Sequence, residues 1–169
     1  AGRGYVVTVR HGAALPFAPV REACEAQPDR LRHGEDFVLH ALLDFVVDGF
    51  VPVLEMMEAD VAPIEDKLTA HVFDQVNIDR LYQLRRDLAR LRRVVAPLAE
   101  VARSLERLDL PMIDAEMRPY FRDVLDHALR VVEQIDALRE DLTFTFEASL
   151  MLSNASQAEV ARKFAGWAA

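Results

Sequence analysis

Asp123, Asp126 and His127 occupy positions i, i+3 and i+4 of a segment with helical periodicity, so their side chains are expected on one helical face. Carboxylate oxygens are the ligands that Mg²⁺ prefers, and a neighbouring imidazole also suits Co²⁺, Ni²⁺ or Zn²⁺. The same spacing is typical of a solvated helix face whose acids lie near the helix start. On spacing alone the solvated face is the favoured interpretation, and the metal site stays the alternative.

The other residues that could act as metal ligands, nucleophiles or phosphate binders form no recognisable motif. The remaining histidines are scattered, without an H-E-x-x-H or Cys/His metal spacing. Cys24 has no histidine nearby, and no glycine-rich phosphate loop is present. A run of arginines between Arg85 and Arg93 alternates with acids, which favours a salt-bridged solvent face. We therefore expect a protein that is not an enzyme.

Composition narrows the class of partner. A formal net charge of −8 argues against a nucleic-acid partner and suits attraction for cations. With 51% hydrophobic and 28% charged residues the chain is expected to fold. The single cysteine indicates a reducing compartment. No signal peptide is visible, and His40, Asp44, Asp48 and Glu55 interrupt the most apolar stretch, so we expect no membrane span and a chain that is soluble as given.

Three long helices are expected to carry these residues. The first extends from about residue 34 to 70, with kinks or a break at Pro52 or Pro63, and the second from about 78 to 108. The third begins near Ala115, and some 50 residues in one helix would span about 75 Å. Residues 5–10 read as a single β-strand, and 20–26 as a short helix. The expected fold is mainly α: an elongated antiparallel bundle of three long helices with one residual N-terminal strand.

The segment Tyr120–His127 resembles the Y-F/L-R-D-V-Y-D-H signature of the CorA family of divalent-cation channels, with Leu125 in place of the usual tyrosine. Further matches follow in the family's order. They are Ala41–Asp48, Leu84–Arg93 with Pro97–Val101, and Tyr5–Gly12, the last of which resembles the end of the family's cytoplasmic sheet. Together these matches cover nearly the whole chain.

The resemblance implies a cytoplasmic piece of a homopentameric channel of the cell inner membrane. Residues 1–33 would be a strand and short helix left from a truncated αβα domain, and 34–114 two antiparallel funnel helices. Residues 115–169 would be a stalk helix leading into a first membrane span, and the family's Gly-Met-Asn pore signature is absent from the chain.

The resemblance also assigns roles to single residues. The aspartate matching Asp123 contributes to an inter-subunit regulatory metal site, and Asp44 resembles another acid near such sites. Asp126 and His127 are further candidates from their spacing alone. Glu147 takes the place of an aspartate ring around the pore axis, the alternative being an ordinary solvent-facing glutamate. Pore or gate positions match Ala158, Ala161 and Phe164, where the two alanines depart from the family pattern.

The expected function is therefore metal sensing coupled to gating in a channel for Mg²⁺, with Co²⁺ or Ni²⁺ as further ions. One alternative is a zinc-transporting relative on the same scaffold. The other is a soluble coiled-coil adaptor, for which the heptads alone would suffice.

Overall fold

The computed structural model describes residues 1–2, 4–9, 17–70 and 75–167, and the expected mainly helical fold class is confirmed there. The helices are α1 (Ala18–Glu25), α2 (Pro28–Leu31), α3 (Glu35–Asp48), α4 (Val51–Thr69), α5 (Gln75–Arg107) and α6 (Arg118–Trp167). A 3₁₀ turn, Ala115–Met117, precedes α6. The single elongated bundle stays a prediction.

Prolines determine where the first long helix divides. The expected helix 34–70 is interrupted at Gly49 and Phe50, so that α3 ends and α4 begins just before Pro52. In the first turn of a helix the missing N–H of proline costs no hydrogen bond, since the first four N–H groups have no helical partner. Pro63 and Pro97 remain inside α4 and α5, and Pro119 occupies the first turn of α6.

The predicted strand over residues 5–10 is not formed by the described part of that segment. Gly2 and Tyr5 make an isolated bridge, whereas residues 6–9 have no regular structure and Arg10 lies outside the described residues. The physical reason is pairing, because a strand is stable only beside another strand, and none is present in the described residues. The short helix expected over 20–26 is confirmed as α1. Pro28 begins α2.

One compact unit comprises Ala1–Pro52 and Arg93–Glu133. Its core joins α1, α3 and the start of α6, and the fully or nearly fully buried side chains are Val20, Cys24, Phe37, Ile113, Met117 and Phe121. Asp36 is also buried: its carboxylate accepts hydrogen bonds from the backbone N–H of Phe37 at 2.7 Å and of Asp114 at 3.0 Å. This carboxylate ties the start of α3 to the connection before α6.

The other unit comprises Val53–Arg92 and Gln134–Ala169. Here α4 contacts α5 through the ion pair of Asp60 with Arg80, and α5 contacts α6 through the rings of Tyr82 and Phe146, 5.2 Å apart. The buried apolar side chains of this unit include Leu54, Met57, Val61, Ile64, Leu68, Leu81, Leu84, Leu88, Ile135, Leu138 and Leu142. Burial of these side chains is the main stabilising contribution available to the unit.

By length and composition alone, Glu35–Thr69 is apolar enough to cross a membrane. Two observations weigh against that interpretation. The stretch is divided at Gly49 and Phe50, and it carries the partly exposed carboxylates of Asp44 and Asp48, which are costly in lipid. The expectation that this stretch does not span a membrane stays a prediction.

Candidate metal centre

Helix α3 presents two carboxylates one turn apart. Asp44 and Asp48 are at i and i+4, so they share a helical face. Val47, 1% exposed, is buried and fixes the rotation of α3 about its axis. The side chains of Asp44 and Asp48 are 39% and 62% exposed as a result. Water and ions can therefore reach both carboxylates.

The first turns of α6 present the second half of the site. Phe121, Val124 and Ala128 are completely buried, and this anchoring leaves the intervening Asp123 and Asp126 exposed and His127 half-buried. The predicted face of two carboxylates and one imidazole therefore exists, and its residues line a single cavity.

The two helices bring three potential ligands together. The Nδ1 atom of His127 is 3.6 Å from Oδ1 of Asp48 and 4.0 Å from Oδ1 of Asp44. Ligand atoms of all three residues lie within 4.8 Å of one another. Two ligands of the same divalent cation lie at most about 4–5 Å apart, since each metal–ligand bond is about 2.0–2.6 Å long. The spacing therefore fits a shared cation after small side-chain adjustments.

A cavity of about 370 Å³ beside this cluster contains most of the predicted ligands. Its walls include Asp44, Asp123, Asp126 and His127, together with Arg30, His40, Tyr120 and Arg130. Three carboxylates therefore face two guanidinium groups, one of which, that of Arg30, lies 5.8 Å above the Tyr120 ring. The volume is large enough for a cation that keeps several waters, as Mg²⁺ usually does.

His40 forms the inner wall of this cavity. Its ring lies 5.5 Å from that of Tyr120 and 6.0 Å from that of Phe121. Burial lowers the pKa of His40 below its ordinary value, and Arg30 lowers it further, while Asp44 and Asp123 oppose the shift. The buried Nδ1 atom has no hydrogen-bond partner among the described residues. A neutral imidazole is therefore favoured at this position.

The remaining predicted site residues lie elsewhere on α6. Glu147, Ala158 and Ala161 are exposed on the helix surface, and Glu147 belongs to the unit containing Gln134–Ala169. The side chain of Phe164 lies outside the described side chains. The roles expected for these four residues stay predictions.

Asp48 is the ligand candidate that the sequence reasoning missed. In the sequence it interrupts an apolar stretch and ends the Ala41–Asp48 match, and its position four residues after Asp44 is the signal that identifies it as a ligand candidate. Its proximity to His127, 79 positions later in the chain, carried no sequence signal.

The described chain is mainly helical, and three potential cation ligands lie close together in it. The family model of the CorA-like Mg²⁺ transporter proteins matches residues 1–169, and the chain belongs to that family. Members of this family transport ions and are not enzymes, which confirms the expectation that the chain has no enzymatic role.

Individual relatives agree with this assignment. The chain is 33% identical over 125 residues to the cobalt/magnesium transport protein CorA of Thermotoga maritima, a match that covers 73% of the chain and 35% of that protein. It is 28% identical over 156 residues to the putative metal ion transporter YfjQ of Bacillus subtilis, covering 92% and 48%. The chain thus spans about a third to a half of the length of these relatives.

A solved structure shows the same fold. The complete structure of the CorA magnesium transporter from Methanocaldococcus jannaschii superposes with a TM-score of 0.77 at 22% identity. The match covers 88% of this chain and 47% of that one. None of these comparisons supports the coiled-coil adaptor or the zinc-transporting relative.

Proposed function

We propose that this chain is the metal-sensing and gating portion of a CorA-like channel for Mg²⁺, with Co²⁺ as a further ion. The observation that carries the proposal is the convergence of Asp44, Asp48 and His127 within 4.8 Å, beside the cavity that also contains Asp123 and Asp126. Family membership supplies the transport function. Relatives named for cobalt and magnesium transport support the choice of ions.

Charge explains how these residues would sense a cation. Without a bound cation, carboxylates that lie close together repel one another, and the repulsion is strongest where water is partly excluded. Asp44 and Asp48 would hold the ion with His127, and Asp123 and Asp126 would add ligands directly or through water. Regulation requires that these ligands be closer together in one conformation than in another, because only a difference in affinity can shift a conformational equilibrium.

The rest of the channel is proposed on the same basis. We place the chain on the cytoplasmic side of the cell inner membrane, in a homopentamer whose α6 helices form an elongated stalk toward the membrane spans. A ring of Glu147 side chains would concentrate cations at the entrance. Ala158, Ala161 and Phe164 would face the conduction path, where the phenylalanine would provide an apolar constriction.

Calorimetric titration of Mg²⁺, Co²⁺ and Zn²⁺ into the chain tests the site. We expect binding that weakens at least about tenfold, or ~1.4 kcal/mol, in Asp48→Asn and in Asp123→Ala. Glu58→Gln is the matched control. Glu58 is exposed on α4, and the substitution removes one negative charge outside the proposed site. Equal binding by all variants would contradict the assignment of the site.

The preferred ion distinguishes the two transport interpretations. Mg²⁺ favours oxygen ligands and retained water, whereas Zn²⁺ favours imidazole in a tetrahedral set. Preference for Mg²⁺ or Co²⁺ would support the channel proposed here. Selective binding of Zn²⁺, lost in His127→Gln, would favour a zinc-transporting relative.

A further inference from the structure

Two cavities adjoin each other at the metal cluster, within the unit whose core joins α1, α3 and the start of α6. The larger is the cavity of about 370 Å³ described above, and the smaller, of about 270 Å³, is lined by α1, α2 and α3. Arg30, His40 and Asp44 line both cavities, while Asp48 lines the smaller and His127 the larger. The three potential metal ligands therefore lie where the two cavities meet.

The larger cavity has two guanidinium groups in its wall. Arg30 and Arg130 line it together with three carboxylates, yet neither forms an ion pair with any residue that the structure describes. By contrast Arg122, also on α6, pairs with Glu106 at 2.8 Å. Arg30 instead lies 5.8 Å above the ring of Tyr120. Positive groups that stand beside cation ligands without being neutralised by them are placed to meet an anion that accompanies the cation.

The chemistry of Mg²⁺ indicates the class of that anion. Proteins usually hold Mg²⁺ through one or two carboxylates together with the phosphates of a ligand, and Asp44 and Asp48 supply two carboxylates. A guanidinium group binds phosphate oxygens through two parallel hydrogen bonds. A net charge of −8 repels anions in general. Binding of a phosphate here therefore requires both the bound cation and the guanidinium groups.

The smaller cavity indicates what the phosphates are attached to. Its walls include the apolar side chains of Val20, Phe37 and Phe45 and the amide of Gln27. Sites for small molecules combine mostly apolar walls with a few polar groups of this kind. A nucleobase has apolar faces and polar edges, so it suits these walls, whereas inorganic phosphate or pyrophosphate would leave this cavity empty.

We propose that this unit binds a nucleoside diphosphate or triphosphate as its Mg²⁺ complex. The ion lies on Asp44 and Asp48, the phosphates contact Arg30 and Arg130, and the base occupies the smaller cavity. The inference rests on the proposed function, because the same cluster holds the ion. It deepens that function by naming a second ligand, since the chain would then sense Mg²⁺ that is bound to nucleotide as well as free Mg²⁺.

Calorimetric titration of ADP into the 169-residue chain, with saturating Mg²⁺ or with a chelator, tests this inference. We expect the Mg²⁺ complex of ADP to bind at least about tenfold more tightly than ADP without Mg²⁺, because the ion joins the phosphates to the carboxylates. Two partial ligands complete the experiment. Adenosine lacks the phosphates and the Mg²⁺ complex of pyrophosphate lacks the nucleoside, so each should bind at least about tenfold more weakly than the ADP complex.

Variants separate the contributions of the two cavities. Arg30→Gln and Arg130→Gln should each weaken binding of the ADP complex at least about tenfold, through loss of charged hydrogen bonds. Arg107→Gln is the matched control, since Arg107 is exposed on α5 and lines neither cavity. Ala23 is exposed on α1 and lines the smaller cavity. Ala23→Leu should therefore weaken binding of the ADP complex and leave that of the pyrophosphate complex unchanged.

Several results would overturn the proposal. They are a chain that does not bind the ADP complex, equal affinity for ADP with and without Mg²⁺, or an Arg107→Gln variant as impaired as Arg130→Gln. A pyrophosphate complex that binds as tightly as the ADP complex would exclude the nucleoside. Arg130→Gln should keep the binding of Mg²⁺ alone that depends on Asp48. A chain that binds Mg²⁺ in this way but not the ADP complex contradicts only this inference, whereas a chain that binds neither also contradicts the metal centre.

Discussion

At the scale of single residues, His40 should make the stability of the fold depend on pH. Because burial lowers its pKa in the folded state from the ordinary 6.5, the unfolded chain binds a proton more readily than the folded chain. Stability contributed by the neutral form is therefore present in full above about pH 6.5 and falls as the pH decreases toward the folded pKa. We expect the urea midpoint to drop between pH 7 and pH 5, and to drop less in His40→Phe.

The phenylalanine keeps an aromatic ring against Tyr120 and Phe121 and removes the unpartnered Nδ1. His33→Gln, which removes a histidine outside this aromatic cluster, serves as the control. If His40→Phe retained the whole wild-type pH dependence, the source of that dependence would have to lie in other groups.

Residue types and spacing predicted part of the site, and distance along the chain hid the rest. Asp123, Asp126 and His127 form a local pattern, which the sequence contains in full. The contact of Asp48 with His127 is not local, and neither is the hydrogen bond from Asp114 to Asp36, across 78 positions. Such contacts depend on how helices pack, and helix packing leaves no mark in the spacing of a single segment.

At the scale of elements, the start of α3 depends on a glycine. Gly34 has φ +89° and ψ −137°, a region that essentially only glycine occupies. We expect Gly34→Ala to lower the free energy of unfolding by about 1–3 kcal/mol, measured by urea unfolding. The cause is backbone strain, since an added Cβ would meet nothing within 4 Å.

Gly49 offers the comparison, because it sits at the end of α3 with an ordinary helical φ of −64°. Alanine at position 49 carries no such strain, so a much smaller change is expected there. Equal destabilisation by both substitutions would contradict backbone strain as the cause of the effect at Gly34.

Helices were more predictable than the strand, because the signals for a helix are local in the sequence. Heptad spacing and proline positions are local, so α5 and α6 begin and end close to the expected residues and α3 separates from α4 just before Pro52. A strand takes its stability from neighbours. Tyr5, Val7 and Val9 are exposed in the described structure, so their strand-like alternation alone does not produce a strand.

At the scale of the whole molecule, a net charge of −8 and a cluster of exposed carboxylates should couple folding to divalent cations. A ligand that binds only the folded state stabilises it by RT ln(1 + [L]/Kd), or about 2.7 kcal/mol at a hundredfold excess over Kd. We expect the thermal midpoint of the chain to rise with Mg²⁺ concentration in this logarithmic way, measured by calorimetric or circular dichroism melting.

Specific binding and general screening predict different patterns in that experiment. Screening depends on ionic strength, so Na⁺ reproduces its effect on stability. Na⁺ does not reproduce the stabilisation that comes from Mg²⁺ bound at a specific site. The rise should therefore persist at constant ionic strength and be largely lost in Asp44→Asn/Asp48→Asn, which removes two carboxylates from the cluster. It should be retained in Glu58→Gln. Two results would contradict the sensing role proposed for this cluster: an equal rise with Na⁺, or a double variant that responds like the wild type. In either case the carboxylates would act only as a diffuse negative surface.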